Sequence, residues 1–263
     1  MDLTDAQFER YARQLILDEV GEEGQARLLS SRVLVVGAGG LGAPLLLYLA
    51  AAGVGTLGVI DDDVVELSNL QRQVIHTTER LGMPKVESAA AMLASVNPDV
   101  RVVAMQARLA ADNAASIIAD YDLVADGSDN FTTRYLLNDA CFLLRKPLAS
   151  AALLRFDAQI ATYKAYLGAP HPCYRCLFPE RPPEDLIPRC EQAGILGALA
   201  GTVGCLQATE VLKELLGIGE SLSGHLLIYD ALATIFRKIK VKRDPACALC
   251  GPQATIRNLS QSS

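Results

Sequence analysis

The stretch that most constrains this chain is "VLVVGAGGLG", residues 33–42. Val33–Val36 is a short apolar run of the kind needed by a strand buried on both faces. Gly37, Gly39, Gly40 and Gly42 follow. From Leu41 the pattern is helical through "LGAPLLLYLAAAG", with Pro44 in the first turn and Gly53 as the C-cap. A strand, a glycine turn and a helix in succession aim free backbone N–H groups and a helix N-terminus at an anion. Glycine matters because side chains would hold phosphates away from the backbone. The plainer alternative is a merely tight turn between strand and helix. The next strand, "TLGVID", ends at Asp61, where folds of this kind place an acid on the ribose hydroxyls. An acid there argues against a 2′-phosphate, and so against NADP, but it suits NAD and ATP equally. Asp62 and Asp63 read as solvated turn acids.

Beyond this βαβ unit (residues 32–61) the periodicity continues to alternate. Residues 4–30 read as two short helices, the first with Phe8, Tyr11, Leu15 and Ile16 at helical spacing. "MPKVESAAAMLASVNP" is a helix bounded by Pro84 and Asn97-Pro98. "VRVVAM", "DLVAD" and "PLASAA" are strands, separated by a short helix in "AADNAASIIAD" and an amphipathic helix over 130–146. Strands alternating with helices predict a Rossmann-like, doubly wound and mostly parallel α/β sheet. After about residue 150 the character changes. "FDAQIATYKA" alternates as an exposed strand does, residues 168–194 are rich in Pro, Gly and Cys, and a helix over about 197–216 precedes strands at 223–230 and 233–241. The expected division is a nucleotide-binding part over 1–150 with N-terminal helices, a C-terminal antiparallel part over 151–252, and a disordered tail over 253–263.

Composition excludes several classes. The 263 residues carry a net charge of −6, which disfavours a nucleic-acid partner. The one basic cluster, "RKIKVKR" at 237–243, alternates like an edge strand with a solvated face. Val33 to Ile60 lacks charge over a membrane-span length, but its glycines cut it into strand, helix and strand. The charged, amphipathic N-terminus has no signal-peptide core. A cytoplasmic location without membrane contact is therefore expected, and with it seven cysteines that do not form a disulfide framework.

Four of those cysteines form the most specific motif. "CYRC" and "CALC" place Cys173 with Cys176 and Cys247 with Cys250. Two such pairs supply four thiolates, the ligand set of a closed, structural tetrahedral Zn²⁺ site, here stapling distant segments. The competing readings are a redox CxxC, which needs no twin, and simple burial, which the surrounding prolines and charges disfavour. Cys141 and Cys205 read as core residues. Cys190 lies in a polar, proline-interrupted loop beside Arg189, where a thiolate is favoured.

Two further clusters surround the expected crevice. "LSNLQRQ", residues 67–73, gathers Ser68, Asn69, Leu70, Gln71 and Arg72 in one turn, and a guanidinium can fork onto phosphate oxygens. Lys85 either adds a point charge or is a solvated helix start. In "DGSDNFTTR", Asp129 and Asn130 stand where open α/β sheets bind ligands. Asp129 facing a triphosphate suits Mg²⁺, or it N-caps the next helix, and the two roles are compatible.

Taken together, "RYARQLIL", "GAGGLG", "SNLQRQ", "PKVESA", "SDN", "PCYRC" and "CALCG" resemble the ubiquitin-activating-enzyme-like superfamily, in the family's order and over almost the whole chain. Within it the similarity is greatest to bacterial molybdopterin-synthase adenylyltransferases and their thiazole-biosynthesis relatives. The resemblance implies that Gly39, Gly40 and Gly42 hold ATP with Asp61 on its ribose. It further implies that Asn69, Arg72 and Lys85 contact the phosphates, within a binding turn that includes Ser68, Leu70 and Gln71. Asp129, beside Asn130, would hold magnesium. Arg13, which composition gives no reason to single out, matches the family arginine that reaches into the partner subunit of a homodimer. The implied reaction is adenylation of the C-terminal glycine of a small ubiquitin-like sulfur carrier ending in Gly-Gly, releasing pyrophosphate, with the part over 151–252 binding the carrier and bearing the zinc site.

The attacking carboxylate is already ionised at neutral pH, so no general base is needed, and His76, His171 and His225 are not expected to act. Relatives carry a cysteine in the loop of Cys190, which either attacks the acyl-adenylate or covers the carrier's tail. No rhodanese-like domain is expected after the second cysteine pair, so a separate sulfur donor is. The favoured carrier is the small subunit of molybdopterin synthase, with a thiamin-type carrier as the alternative. An NAD-dependent oxidoreductase rests on the first βαβ unit alone.

Overall fold

The computed structural model describes residues 3–182 and 194–261. Two N-terminal helices, α1 (Asp5–Leu15) and α2 (Gly21–Ser30), lead into the sheet, α1 opening on a capping box of Thr4 and Gln7. Then β1 (Arg32–Val36) runs into the glycine turn and α3 (Gly42–Ala52), which Gly53 caps in the left-handed conformation. The chain continues through β2 (Thr56–Ile60), α4 (Lys85–Val96), β3 (Arg101–Met105), α5 (Ala114–Ala119), β4 (Leu123–Asp126) and α6 (Phe131–Leu143). There follow β5 (Leu148–Leu154), β6 (Asp157–Tyr163), the short α7 (Tyr174–Leu177), a long α8 (Gly197–Leu216), β7 (His225–Asp230) and β8 (Ile235–Lys240).

All eight strands form one sheet, in the order β3-β2-β1-β4-β5-β6-β7-β8. The pairs from β3 to β5 are parallel and those from β5 to β8 antiparallel. Because β2 lies on one side of β1 and β4 on the other, the crossovers diverge there and leave a crevice at the strands' carboxyl ends. Register fixes what meets in it: Val36 pairs with Ile60 and with Asp126. The residues after each, Gly37, Asp61 and Gly127, are therefore neighbours.

The structure departs from the sequence expectations at β6, at α6 and in the tail. The sheet is continuous across residue 150, which falls inside β5, and Val211 of α8 shares an apolar cluster with Val33 and Leu45. Residues on either side of position 150 thus share one sheet and one apolar cluster. Strand β6 is largely buried rather than exposed, because β7 and β8 extend the sheet beside it and Leu199 and Val203 of α8 pack on Ala158 and Ile160. Helix α6 is not amphipathic: Thr133 to Cys141 is buried without interruption, enclosed by the sheet and by the segment around Tyr174. The expected disordered tail is described through Gln261, with Ile256 against the cysteine cluster and Leu259 against the cluster containing α6. Among the described residues no helix is long and apolar enough to cross a membrane.

Candidate active site at the carboxyl edge of the sheet

The crevice is a cavity of about 1740 Å³. Its floor is the glycine turn, built by two close approaches. A Cβ on Gly42 would overlap the Gly37 carbonyl, and one on Gly37, at φ +95°, would stand 2.8 Å from the Gly127 carbonyl oxygen. The turns after β1 and β4 are therefore in backbone contact, and Gly127 N–H donates to Val36 O at 2.9 Å.

His76 supports this floor from beneath. It is buried, with Nε2 at 3.0 Å from Ala38 O and Nδ1 at 2.9 Å from Ser88 Oγ. A carbonyl can only accept, so Nε2 carries the proton and Nδ1 accepts from Ser88. Burial lowers the imidazole's pKa, as do Lys85 and Arg80, against the opposing Ala38 carbonyl. His76 is a neutral buttress of the glycine turn.

Asp61 closes one side. Its carboxylate accepts from Ala38 N–H at 2.8 Å and Asp63 N–H at 2.9 Å. Burial raises its pKa, opposed by Lys85 and those two amides. Each oxygen keeps a further lone pair for a ligand hydroxyl. Lys85, expected either as a phosphate contact or as a solvated helix start, is buried at the first position of α4 and pairs with Asp63 at 2.7 Å. Asp63 is thereby more than a solvated turn acid.

The "LSNLQRQ" turn forms the opposite wall. Asn69 is buried, and its Oδ1 accepts from Glu66 N–H at 3.2 Å. The stem of Arg72 lies along Gly40, and its Nη1 donates to Ser68 O at 3.0 Å. Gly39, Gly40, Asp61, Asn69, Arg72 and Lys85 line the cavity, as do Asp129 and Asn130. Gly42 lies behind the floor, and Ser68, Leu70 and Gln71 shape the turn without lining the cavity. The Gln71 backbone abuts Gly197, the first residue of α8. Exposed Arg13, in the last turn of α1, is not among the lining residues either.

The third wall is the turn after β4. Asp126 is fully buried. Its Oδ1 accepts from Ser128 N–H at 3.0 Å and Ser128 Oγ at 2.6 Å, and its Oδ2 accepts from Ser150 Oγ at 2.9 Å. Asn130 caps α6, accepting from Thr133 N–H at 2.9 Å. The cap is thus Asn130 and not Asp129, which stays exposed to the cavity with no hydrogen bond or ion pair among the described residues.

Sequence reasoning missed two residues here. Arg134 is buried in the first turns of α6, and its Nη2 donates to Ser128 O at 3.1 Å. Gln73 is buried with Oε1 unpartnered beside the glycine turn. Gln73 stands inside a quoted motif, whereas nothing in the local pattern marks Arg134.

The four cysteines meet beside this cavity, at the N-terminus of α7. Sγ separations are 3.8 Å for Cys173–Cys176, 3.5 Å for Cys173–Cys247 and 3.4 Å for Cys176–Cys250. A tetrahedron with metal–sulfur bonds of about 2.3 Å has edges of about 3.8 Å, so the donor set and spacing fit a closed metal site. In the second cluster of potential ligands, Asp61 accepts from Ala38 N–H and Asp63 N–H and Asp63 pairs with Lys85, while Asp62 is exposed. Cys141 is buried, which pushes its thiol pKa up, while Cys205 is only half-buried and so not the core residue its sequence suggested. Arg189 and Cys190 lie outside the described residues.

A sequence profile of the ThiF family matches residues 11–249. The chain is 53% identical over 261 residues to the sulfur carrier protein adenylyltransferase of Thermus thermophilus, covering 98% of this chain and 96% of that protein. It is 52% identical to the adenylyltransferase and sulfurtransferase MOCS3 of Sus scrofa over 95% of this chain, but spans only 54% of that longer protein. Its fold matches that of E. coli MccB, crystallised with MccA-N7isoASN, at a TM-score of 0.80 and 20% identity, covering 95% of this chain and 76% of that one. The chain belongs to the ThiF family.

Proposed function

We infer that the chain is an ATP-dependent adenylyltransferase that activates the C-terminal carboxylate of a small ubiquitin-like sulfur-carrier protein. The observation that carries this reading is 53% identity, over nearly the full length of both chains, to a sulfur carrier protein adenylyltransferase. The cavity supports it, with a glycine floor, the cationic side chains of Arg72 and Lys85, and the carboxylate of Asp129 facing one space.

In the proposed step, a carrier carboxylate oxygen forms a bond to the α-phosphorus of ATP. The bond from that phosphorus to the bridging oxygen breaks, and pyrophosphate leaves with the electron pair. The obstacle is bringing two anions together in line, which positioning and fixed charge overcome. Glycine-turn amides would hold the phosphates, Asp61 the ribose, and Asn69, Arg72 and Lys85 the phosphate oxygens. Lys85 would then share its charge between Asp63 and the nucleotide. Asp129 is the residue suited to hold magnesium, which when bound offsets the charge of the phosphates.

The finer features are proposals of the same kind. The favoured carrier is the molybdopterin-synthase small subunit, with a thiamin-type carrier as the alternative. MOCS3 of Sus scrofa is named both adenylyltransferase and sulfurtransferase, and the sulfur passed to the activated carrier here would come from a separate donor. The cysteine cluster suits structural zinc. Cysteines outside any disulfide among the described residues suit a reducing compartment, and so the cytoplasm. The enzyme would be a homodimer with Arg13 acting in the partner's site. Mixing Arg13→Ala with Asp129→Ala chains should then restore activity in hybrid dimers. No recovery after verified subunit exchange would remove Arg13 from that role.

The function is tested by intact-mass analysis of purified Gly-Gly-ended carriers incubated with enzyme, ATP and magnesium. One carrier should gain a single adenylate at its C-terminus, and a carrier lacking its last glycine should gain none. Carriers that all remain unmodified would refute the reading.

A further inference from the structure

Arg134 has no place in the reaction derived above, yet it is a nearly buried cation one helical turn from Asp129. Its guanidinium touches three parts of the turn that presents Asp129. Nη2 donates to Ser128 O at 3.1 Å, Nε lies 3.5 Å from Asp126 Oδ2, and Cζ sits 5.6 Å from the Phe131 ring centroid. Asp126 in turn holds both the amide and the hydroxyl of Ser128. The residue before Asp129 is therefore gripped at N–H, Oγ and C=O by one buried ion pair.

A further neighbour of Arg134 comes from the segment that carries Cys173. Tyr174, the residue after Cys173, places its hydroxyl beside the same guanidinium. Its ring meets Tyr135 edge-on at 5.1 Å and Tyr163 at 5.9 Å. The Cys173–Cys176 knuckle is docked on α6 directly above Arg134. Tyr174 N–H donates to Asn138 Oδ1 at 2.7 Å, and Arg175 forks onto fully buried Asp139 at 2.8 and 2.7 Å. A bidentate guanidinium–carboxylate pair fixes orientation as well as distance.

We propose that Arg134 is a positioning residue for adenylation, clamping the Asp126–Ser128 turn so that Asp129 faces the nucleotide, and that Tyr174 of the cysteine knuckle sets its orientation. The knuckle thereby reaches the reacting phosphates through one side chain, besides stapling the chain. This rests on the adenylation reading.

The test is Arg134→Lys, which keeps the buried charge but loses the arm to Ser128. Removing the cation altogether would leave Asp126 buried and unpaired, with large effects on folding. Tyr174→Phe is the gentler second variant. Ile118→Ala, in α5 and away from the cavity, supplies a core-destabilised control. In ATP–pyrophosphate exchange, Arg134→Lys should lose about tenfold in kcat, as expected of a displaced catalytic group. It should also need more magnesium for half-maximal rate, with little change in KM for carrier. Tyr174→Phe should move the same way by about threefold, less than Arg134→Lys because the guanidinium keeps its contacts to Ser128 and Asp126. Ile118→Ala should lower Tm without moving the magnesium midpoint.

Amide exchange at Ser128 by mass spectrometry adds a readout independent of catalysis. It should quicken in both site variants and not in the control. A parent enzyme that exchanged no pyrophosphate would defeat the adenylation reading and this inference with it. A parent that exchanged normally while Arg134→Lys kept its kcat, magnesium midpoint and Ser128 protection would defeat this inference alone. A loss confined to KM for carrier, or a control that shifted the magnesium midpoint equally, would overturn it too.

Discussion

The two ends of the sheet solve the same problem by different means. At the parallel end, Val33 to Val36 and Leu123 to Asp126 are buried residue by residue, and the site is made of backbone pressed against backbone at Gly37, Gly42 and Gly127. At the antiparallel end, β8 is exposed along its whole length, with Tyr229 and Phe236 stacked at 4.1 Å, and the segments that follow β6 and β8 are brought together by four cysteines instead. Burial gives stiffness where helices cover both faces. Where one face is open, stiffness has to come from side-chain ligands. The glycine turn should therefore be sensitive to any added atom, and the cysteine region to loss of the zinc proposed there.

The largest expected effect lies at the antiparallel end. Cys176→Ser, or removal of metal by a chelator, should abolish a stoichiometry of about one zinc per chain and destabilise the fold. A loss of about 5 kcal/mol, or roughly 10–20 °C in Tm, is expected, since metal-binding energy is folding energy in such sites. Normal melting in a metal-free preparation would remove the staple and the contrast with it. Next comes Gly42→Ala, whose Cβ would be driven into the Gly37 carbonyl. Its expected cost is about 2–3 kcal/mol, with weakened ATP binding by calorimetry. Wild-type affinity and melting would mean that the floor yields and is not close-packed backbone.

These features differ in how openly the sequence displayed them. The glycine turn, Asp61 and the paired cysteines are local patterns whose spacing states their geometry, and the structure brings them together as that spacing implies. The Asp126–Arg134 pair and the His76–Ser88 buttress join residues from different elements, so no window of the sequence displays them. Asp129 and Asn130 are adjacent and both suited to capping, and only the fold shows that Asn130 takes the cap and leaves Asp129 facing the cavity. The periodicity of α6 and β6 misled for one reason. Each is covered on a second side by elements remote in the chain, α7 and α8, so polar residues such as Arg134, Asn138 and Asp139 are buried in partnered form rather than solvated.

The smallest effect belongs to His76. The fold holds its neutral form, with the pKa below the ordinary 6.5 through burial first and then Lys85 and Arg80. Its contribution is whole above about pH 6.5 and is lost as pH falls through the lower, folded pKa. The Tm of the parent should therefore fall more steeply between neutral and mildly acidic pH than that of His76→Gln. Parallel profiles would show that the imidazole is not held neutral under the glycine turn.

The claim on which everything here turns is that this cavity joins a carrier carboxylate to the α-phosphorus of ATP. Exchange of labelled pyrophosphate into ATP, across a panel of purified carriers, measures that step in both directions. Exchange should require magnesium and a carrier ending in Gly-Gly. It should drop by about a hundredfold or more in Asp129→Ala, the loss expected for one transition-state contact, while Tm stays at the parental value because Asp129 has no partner to lose among the described residues. Exchange without a carrier, none with any carrier, or a parental rate in Asp129→Ala would contradict it.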